Sequence, residues 1–298
     1  MAIADAIPTI VAARMKEYLS ENTVYAARTN RTWQSDATGG SINVVGADAS
    51  KVSVAAYTEG STLTYATATA TAPTTIPLDL KRAWALTIDD IHALQASPAV
   101  LDANAAIAGQ KMAEAADTYV RGLMQGSTNG GSLTLPASDD FDISAALNAA
   151  DRARLYAGFA AAQRTLNEAN VPSNRPRWAI VTPRVLELLS IAAQQSTADS
   201  IATDSLRNGY RGRFSGFDIY VNSGQGSSEA SGVYTEKVVC GTDYAVAYVE
   251  QINSTERLRL ETTFADAVRG LYVAGGVVIE SDGLLDIDVM ISGALAFS

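Results

Sequence analysis

His92 is the only histidine in the 298-residue chain, so a Ser-His-Asp triad or a histidine metal site would depend on it alone. It stands in Ile88-Asp89-Asp90-Ile91-His92, beside two acids that could orient an imidazole; a surface histidine near a helix start accounts for it far better, and that is the reading adopted. Cys240, the only cysteine, lies in the apolar run Val238-Val239-Cys240-Gly241 and reads as a buried, inert thiol rather than a nucleophile. Asp282, Asp286 and Asp288 could form a cation site or a carboxylate pair. Their spacing does not match a calcium loop, and the last two alternate with Ile287 and Val289, so a solvated strand face explains them. Gly224-Gln225-Gly226 lacks the third glycine of a dinucleotide fingerprint, and no Walker-type glycine-lysine loop is present. Asn30-Arg31-Thr32 and Asn253-Ser254-Thr255 match glycosylation acceptors but carry no weight without a secretory leader. The catalytic inventory is therefore close to empty. No catalytic, cofactor-binding or metal residue is assigned, and this favours a structural role.

Composition narrows the classes further. A chain with 47% hydrophobic residues can bury a core in one large or two medium domains. The lone cysteine forbids an intrachain disulfide, and no leader opens the chain, which suits a reducing cytoplasm. No apolar run approaches the ~18 residues needed to cross a bilayer. A net charge of −10 argues against tight electrostatic binding to nucleic acid. That charge is segregated, however: residues 1–34 carry +1, 35–150 carry −7, 151–213 carry +4 and 214–298 carry −8. All nine cations of the third segment are arginines, whose planar forks pair carboxylates bidentately. Either this is ordinary scatter, or a basic middle beside acidic flanks marks a surface that meets copies of itself.

The elements that would position any site follow from periodicity. Ile7, Ile10, Val11, Met15, Tyr18 and Leu19 have helical spacing and predict a short amphipathic arm. Ser97-Pro98 is a cap followed by a first-turn proline; the apolar series from Val100 to Leu123 then predicts a helix of about 28 residues, ended by Gly126 and about 42 Å long. A second long helix is expected over roughly Ser144 to Ala169. Trp178 to Val181 predicts a buried strand, Thr182-Pro183 starts another helix, and Gly216 to Val221 is a further strand. From Tyr244 onward the pattern is β.

Between arm and long helix lies a run with strand alternation but no bulk: Ala66-Thr67-Ala68-Thr69-Ala70-Thr71-Ala72. At roughly 25 cal/mol per Å², Ala and Thr faces cannot offset the entropy of ordering such a ribbon. Either it lies on another surface of its own domain, or it lies on a neighbouring copy. The phase of the alternation slips at Ala66, which suggests a bulge, and Pro73 and Pro77 exclude a central-strand role there. Leu78, Leu80, Trp84, Leu86 and Ile88 then share one face, which should return the chain to the body.

This order of arm, long β-hairpin loop, long helix, α/β unit and returning β segment resembles the major capsid proteins of tailed bacteriophages, with their Hong-Kong-97-like α+β fold. Leu166-Asn167-Glu168-Ala169-Asn170-Val171-Pro172, Arg175 and Trp178-Ala179-Ile180-Val181-Thr182-Pro183 look like that family's helix, strand and helix. Gly212 to Val221 looks like its G-x-x-x-G-F-x-V strand, and Arg257 to Ile279 resembles its late segment. The resemblance implies an N-terminal arm over 1–34 and an extended loop over 35–88. It implies a peripheral domain with the spine helix over 89–145 and again over 246–298, and an axial domain over 146–245. It further implies a subunit that assembles in the bacterial host cytoplasm, as hexamers and pentamers, into an icosahedral virion shell enclosing double-stranded DNA without specific binding. A separate scaffolding protein and a portal are implied partners, and a decoration protein is a further one. No cofactor and no membrane are involved. Tyr57, Glu59, Leu63, Tyr65, Thr69 and Ile76 on the loop are the expected inter-subunit contacts, with Arg175, Arg177, Arg211 and Arg213 supplying inter-subunit electrostatics. Lys51 and Lys81 flank the loop rather than occupy its tip, so a covalent cross-link through a loop lysine is not expected. Two alternatives remain: an encapsulin-type compartment shell, and a monomeric or dimeric hydrolase.

Overall fold

The computed structural model describes residues 17–19, 23–36, 41–44, 59, 74–89, 98–126, 131–135, 140–143, 147–194, 210–224, 228–261 and 265–293. In chain order these form β1 (Ser41–Val44), β2 (Thr74–Pro77), β3 (Leu80–Asp89), α1 (Pro98–Met124), β4 (Ser132–Leu135) and β5 (Phe141–Asp142). There follow α2 (Ala149–Glu168), β6 (Arg177–Val181), α3 (Pro183–Gln194), β7 (Tyr210–Phe214), β8 (Phe217–Val221) and β9 (Ser228–Ala230). Four long strands complete the chain: β10 (Val233–Thr242), β11 (Val246–Arg259), β12 (Ala265–Val278) and β13 (Leu284–Ser292). Residues 17–19 of the expected arm are helical; His92 lies outside the described residues.

Among the described residues three sheets form. An antiparallel sheet runs β11-β12-β3, with Gly270 opposite both Thr255 and Trp84. A mixed sheet of eight strands runs β4-β13-β10-β6-β8-β7, with β5 added on β13 and β9 on β10. Its β6 and β8 are parallel, and α3 follows β6 in the crossover between them, as parallel pairing requires. Strands from the segments 89–145 and 246–298 both enter this sheet, because β4 and β5 pair with β13 and β13 pairs with β10. Sheet membership therefore does not follow those chain boundaries. The third sheet is the two-stranded ribbon β1-β2.

The spine helix α1 has 27 residues, a rod of about 40 Å. Its Met112, Ala113, Ala116, Val120 and Met124 fall at helical spacing and are buried against Trp84, Tyr248, Val268 and Tyr272. A second core joins Leu155, Phe159, Ala162 and Leu166 of α2 and Val185, Leu188 and Leu189 of α3 to Ala179, Ile219, Val238 and Ile287 of the large sheet. The helix expected from Ser144 starts instead at Ala149, where the Asn148 side chain accepts from the Asp151 N–H at 2.8 Å. Apolar periodicity runs on through Leu147, but the orphan amides of the first turn need an acceptor, and Asn148 is the residue that supplies one.

A second difference concerns Asp286. It is buried rather than solvated, because β13 lies inside the sheet with both faces covered. Leu284 packs in the core under α1, while Leu285, Ile287 and Val289 pack in the core under α2 and α3. Asp288 does reach the surface, and the Lys237 Nζ donates to it at 2.9 Å. Asp282 is exposed in a 3₁₀ turn, Ser281–Gly283. The three acids form no cluster, and no metal-holding group of His, Cys, Asp and Glu occurs among the described residues. No described helix is long and apolar enough to cross a membrane.

Candidate functional site

The segment expected to be the extended loop is bounded by β1 and β2, where Ile42 faces Ile76 and Val44 faces Thr74. The pattern alternates because one face of the ribbon is covered: Ile42, Val44, Ile76 and Leu78 pack on Ala247 and Val249 of β11 and Val273 of β12. Each such side chain contributes about 1.5–3 kcal/mol on burial, so at its base the ribbon rests on its own chain. Gly275 sits directly beneath. A Cβ at that position would run into the carbonyl group of Pro77 and the Cα of Leu78, so β12 allows this approach only as glycine. Beyond this base, Tyr57, Leu63, Tyr65 and Thr69, like the Ala66 to Ala72 repeat, lie outside the described residues; Glu59 is an exposed turn residue.

Ile76 therefore leaves the set of contact residues. It is fully buried within its own chain, because the odd–even phase that predicts strand also turns it inward, opposite Ile42. Arg177 leaves the set for the same reason. Its Nη2 donates to the Asn167 Oδ1 at 2.7 Å and to the Val171 carbonyl at 3.1 Å, closing the α2–β6 connection from inside. Arg213 is exposed but pairs with Asp218 at 3.1 Å across the β7–β8 turn. That turn needs Ser215 and Gly216 at positive φ, +45° and +86°. Arg211 lies on β7. Arg175 is exposed and lies over the Tyr244 ring at 4.2 Å, a stacking that holds its guanidinium in place. Arg177, being buried, thus forms no surface patch with Arg175 and Arg213. Cys240 is buried, and burial pushes its thiol well above the ordinary range, which makes it inert.

Sequence reasoning missed the fastening of the N-terminal segment. Residues 23–36 lie across β11, with the Asn30 N–H donating to the Val246 carbonyl and the Tyr248 N–H donating to the Asn30 carbonyl. Arg28 stacks over Tyr220 at 4.0 Å. Arg31 pairs with Glu250 at 2.5 Å, and Glu250 also accepts from the Tyr272 hydroxyl at 2.9 Å, itself 2.7 Å from that of Tyr248. Gln34 bonds the Glu250 backbone at both its N–H and its carbonyl. One signal was available for another part of this fastening: Asp117 falls in the apolar stripe of α1, three residues before Val120 and four after Ala113, where an unpaired acid would be costly.

No protein-family model matches the chain, and no curated protein resembles it in sequence. Solved structures do resemble it. One from Mycobacterium phage Che8 superposes with a TM-score of 0.60 at 22% identity, covering 89% of this chain and 90% of that one. The capsid structure of cyanophage P-SCSP1u gives 0.63 at 15% identity, covering 91% and 89%. The holo-SrpI encapsulin complex from Synechococcus elongatus gives 0.58 at 10% identity, covering 91% and 86%. The architecture is shared by a phage capsid structure and an encapsulin complex. More particularly, the chain has the mixed helix-and-sheet Hong-Kong-97-like fold.

Proposed function

We propose that this chain is the major subunit of an icosahedral shell, the head of a tailed bacteriophage, which it builds by self-assembly as hexamers and pentamers around double-stranded DNA. The observation that carries the reading is the superposition on phage and shell structures along about nine-tenths of the chain in both directions. The resemblance gives the segment between β1 and β2 the role of reaching a neighbouring subunit, and its base rests on its own chain. Tyr57, Glu59, Leu63, Tyr65 and Thr69 are the proposed contacts on it, and Arg175 is the proposed electrostatic contact, held on Tyr244 and exposed. In this reading 1–34 is the arm and 35–88 the loop. The peripheral part centres on α1 and the β11-β12-β3 sheet, and the axial part on α2, α3 and the eight-stranded sheet. A net charge of −10 means that DNA is confined rather than gripped.

The encapsulin likeness supports a second reading, a compartment shell of the same fold. The higher identity to the Che8 structure, 22% against 10%, favours the phage head. Electron microscopy of the expressed protein, alone and with the products of neighbouring genes, tests both readings. Shells that take up DNA through a portal complex support the head, shells filled with a protein cargo support the compartment, and no shell under any condition overturns both.

A further inference from the structure

Asp117 is 6% exposed, an acid in the buried stripe of the spine helix. Its bonds explain its place. Oδ2 accepts the Val24 N–H at 2.8 Å and Oδ1 accepts the Ala26 N–H at 3.0 Å, from residues 93 and 91 positions earlier in the chain. The 3₁₀ turn Ala26–Arg28 that begins there has no side-chain cap of its own. Asp117 does the work of a cap from another element. The same Oδ2 accepts the Asn222 side-chain N–H at 3.2 Å, just past the end of β8. Asn222 in turn accepts the Gly224 N–H at 2.7 Å, and Arg121, one helical turn beyond Asp117, donates to the Gly224 carbonyl at 2.9 Å. A closed ring thus runs from the helix through the 222–224 turn and back to the helix, and the N-terminal segment hangs from one of its members.

Two observations make this a fastening that can open. A cavity of about 490 Å³ lies against it, lined by Asp117, Thr118, Arg121, Asn222 and Gly224 among others, so water can reach the groups once they part. Burial also raises the Asp117 carboxyl above the ordinary carboxylate range, although the backbone N–H groups and Arg121 pull the other way. The desolvation cost thus offsets much of what the bonds contribute.

We propose that Asp117 is a three-way latch that couples the N-terminal segment, the spine helix and the 222–224 turn, so that loosening any one of them loosens the others. The inference goes beyond the shell reading, because it concerns the subunit alone. Hydrogen exchange of the purified full chain tests it, with the Val24 and Ala26 amides as reporters. D117N leaves one acceptor oxygen where two are used and should speed exchange at both amides about tenfold or more. N222A touches neither amide, yet it should speed both at least about threefold. E114Q, on the same cavity, should leave them unchanged. Wild-type rates at Val24 and Ala26 in N222A would show that the legs are independent and would overturn the coupling. Unchanged rates in D117N would overturn the latch itself. If D117N does not fold, R121M, which breaks the ring at Gly224, takes its place: faster exchange at both amides supports the latch and wild-type rates overturn it.

Discussion

Replacing Gly275 by alanine adds one methyl group and should unseat the root of the extended loop. In an open strand the change would be favourable, since alanine restricts the unfolded chain and gains about 0.4–1 kcal/mol. Here the new Cβ meets only backbone, the Pro77 carbonyl and the Leu78 Cα, and backbone has no rotamer with which to yield. The ribbon can lift, exposing Ile42, Val44, Ile76 and Leu78 at about 6–12 kcal/mol if all four are lost, or it can shift locally at about 1–3 kcal/mol, the usual cost of overpacking. The cheaper route wins, and after the unfolded-state gain a net destabilisation of about 1–2 kcal/mol remains. Urea unfolding followed by tryptophan fluorescence measures it, since Trp84 sits one strand away on β3, and limited proteolysis should show faster cleavage within 41–77. G122A is the control of opposite sign: a Cβ there has nothing within 4 Å, so it should stabilise α1 by about 0.5–1 kcal/mol. A neutral or stabilising G275A, with the ribbon still protected, would refute the claim that the loop is rooted on its own sheet.

Further outcomes are expected elsewhere. R177M should destabilise the subunit by about 2–4 kcal/mol in the same urea assay, because it strands the Asn167 and Val171 acceptors inside. R175A should stay within about 0.5 kcal/mol and, under the shell reading, impair assembly instead; a subunit-level loss from R175A would show that its stack on Tyr244 is structural. Y272F removes the hydroxyl between Tyr248 and Glu250 and should cost about 1–2 kcal/mol, with increased protease access to residues 23–36. Equal access in Y272F and wild type would show that the arm is held without it. The Cys240 thiol, its pKa raised by burial, stays protonated in the folded chain as pH rises past the free-thiol value of ~8.5. It should therefore resist alkylation at pH 8 until the chain unfolds, and fast labelling of native protein would contradict its burial.

What the sequence disclosed and what it hid divide by the range of the interactions. The spine helix was legible because Pro98 at its start and the apolar series to Leu123 are local, and the β6 strand and α3 because Trp178 to Pro183 carries strand, cap and helix in six residues. The start of α2 was missed by five residues because a cap outranked periodicity at Asn148. Asp286, Ile76 and Arg177 were misread for one shared reason: their surroundings come from far along the chain. Asp286 looks like a wet position until β10 and β4 flank its strand. Ile76 looks free until β11 and β12 lie under it, and Arg177 looks free until the end of α2 supplies its acceptors. The small Ala66 to Ala72 stretch left either its own domain or a neighbour as its support, and at the root, β1 and β2, the support is the chain itself.

The central claim is that these subunits close into a shell. Sedimentation velocity of the purified chain, across protein concentration, crowding agents and added scaffolding protein, with negative-stain imaging of each fraction, tests it directly. The account predicts hexameric and pentameric capsomers and closed particles of uniform diameter. A single species near 31.2 kDa under every one of these conditions would contradict it.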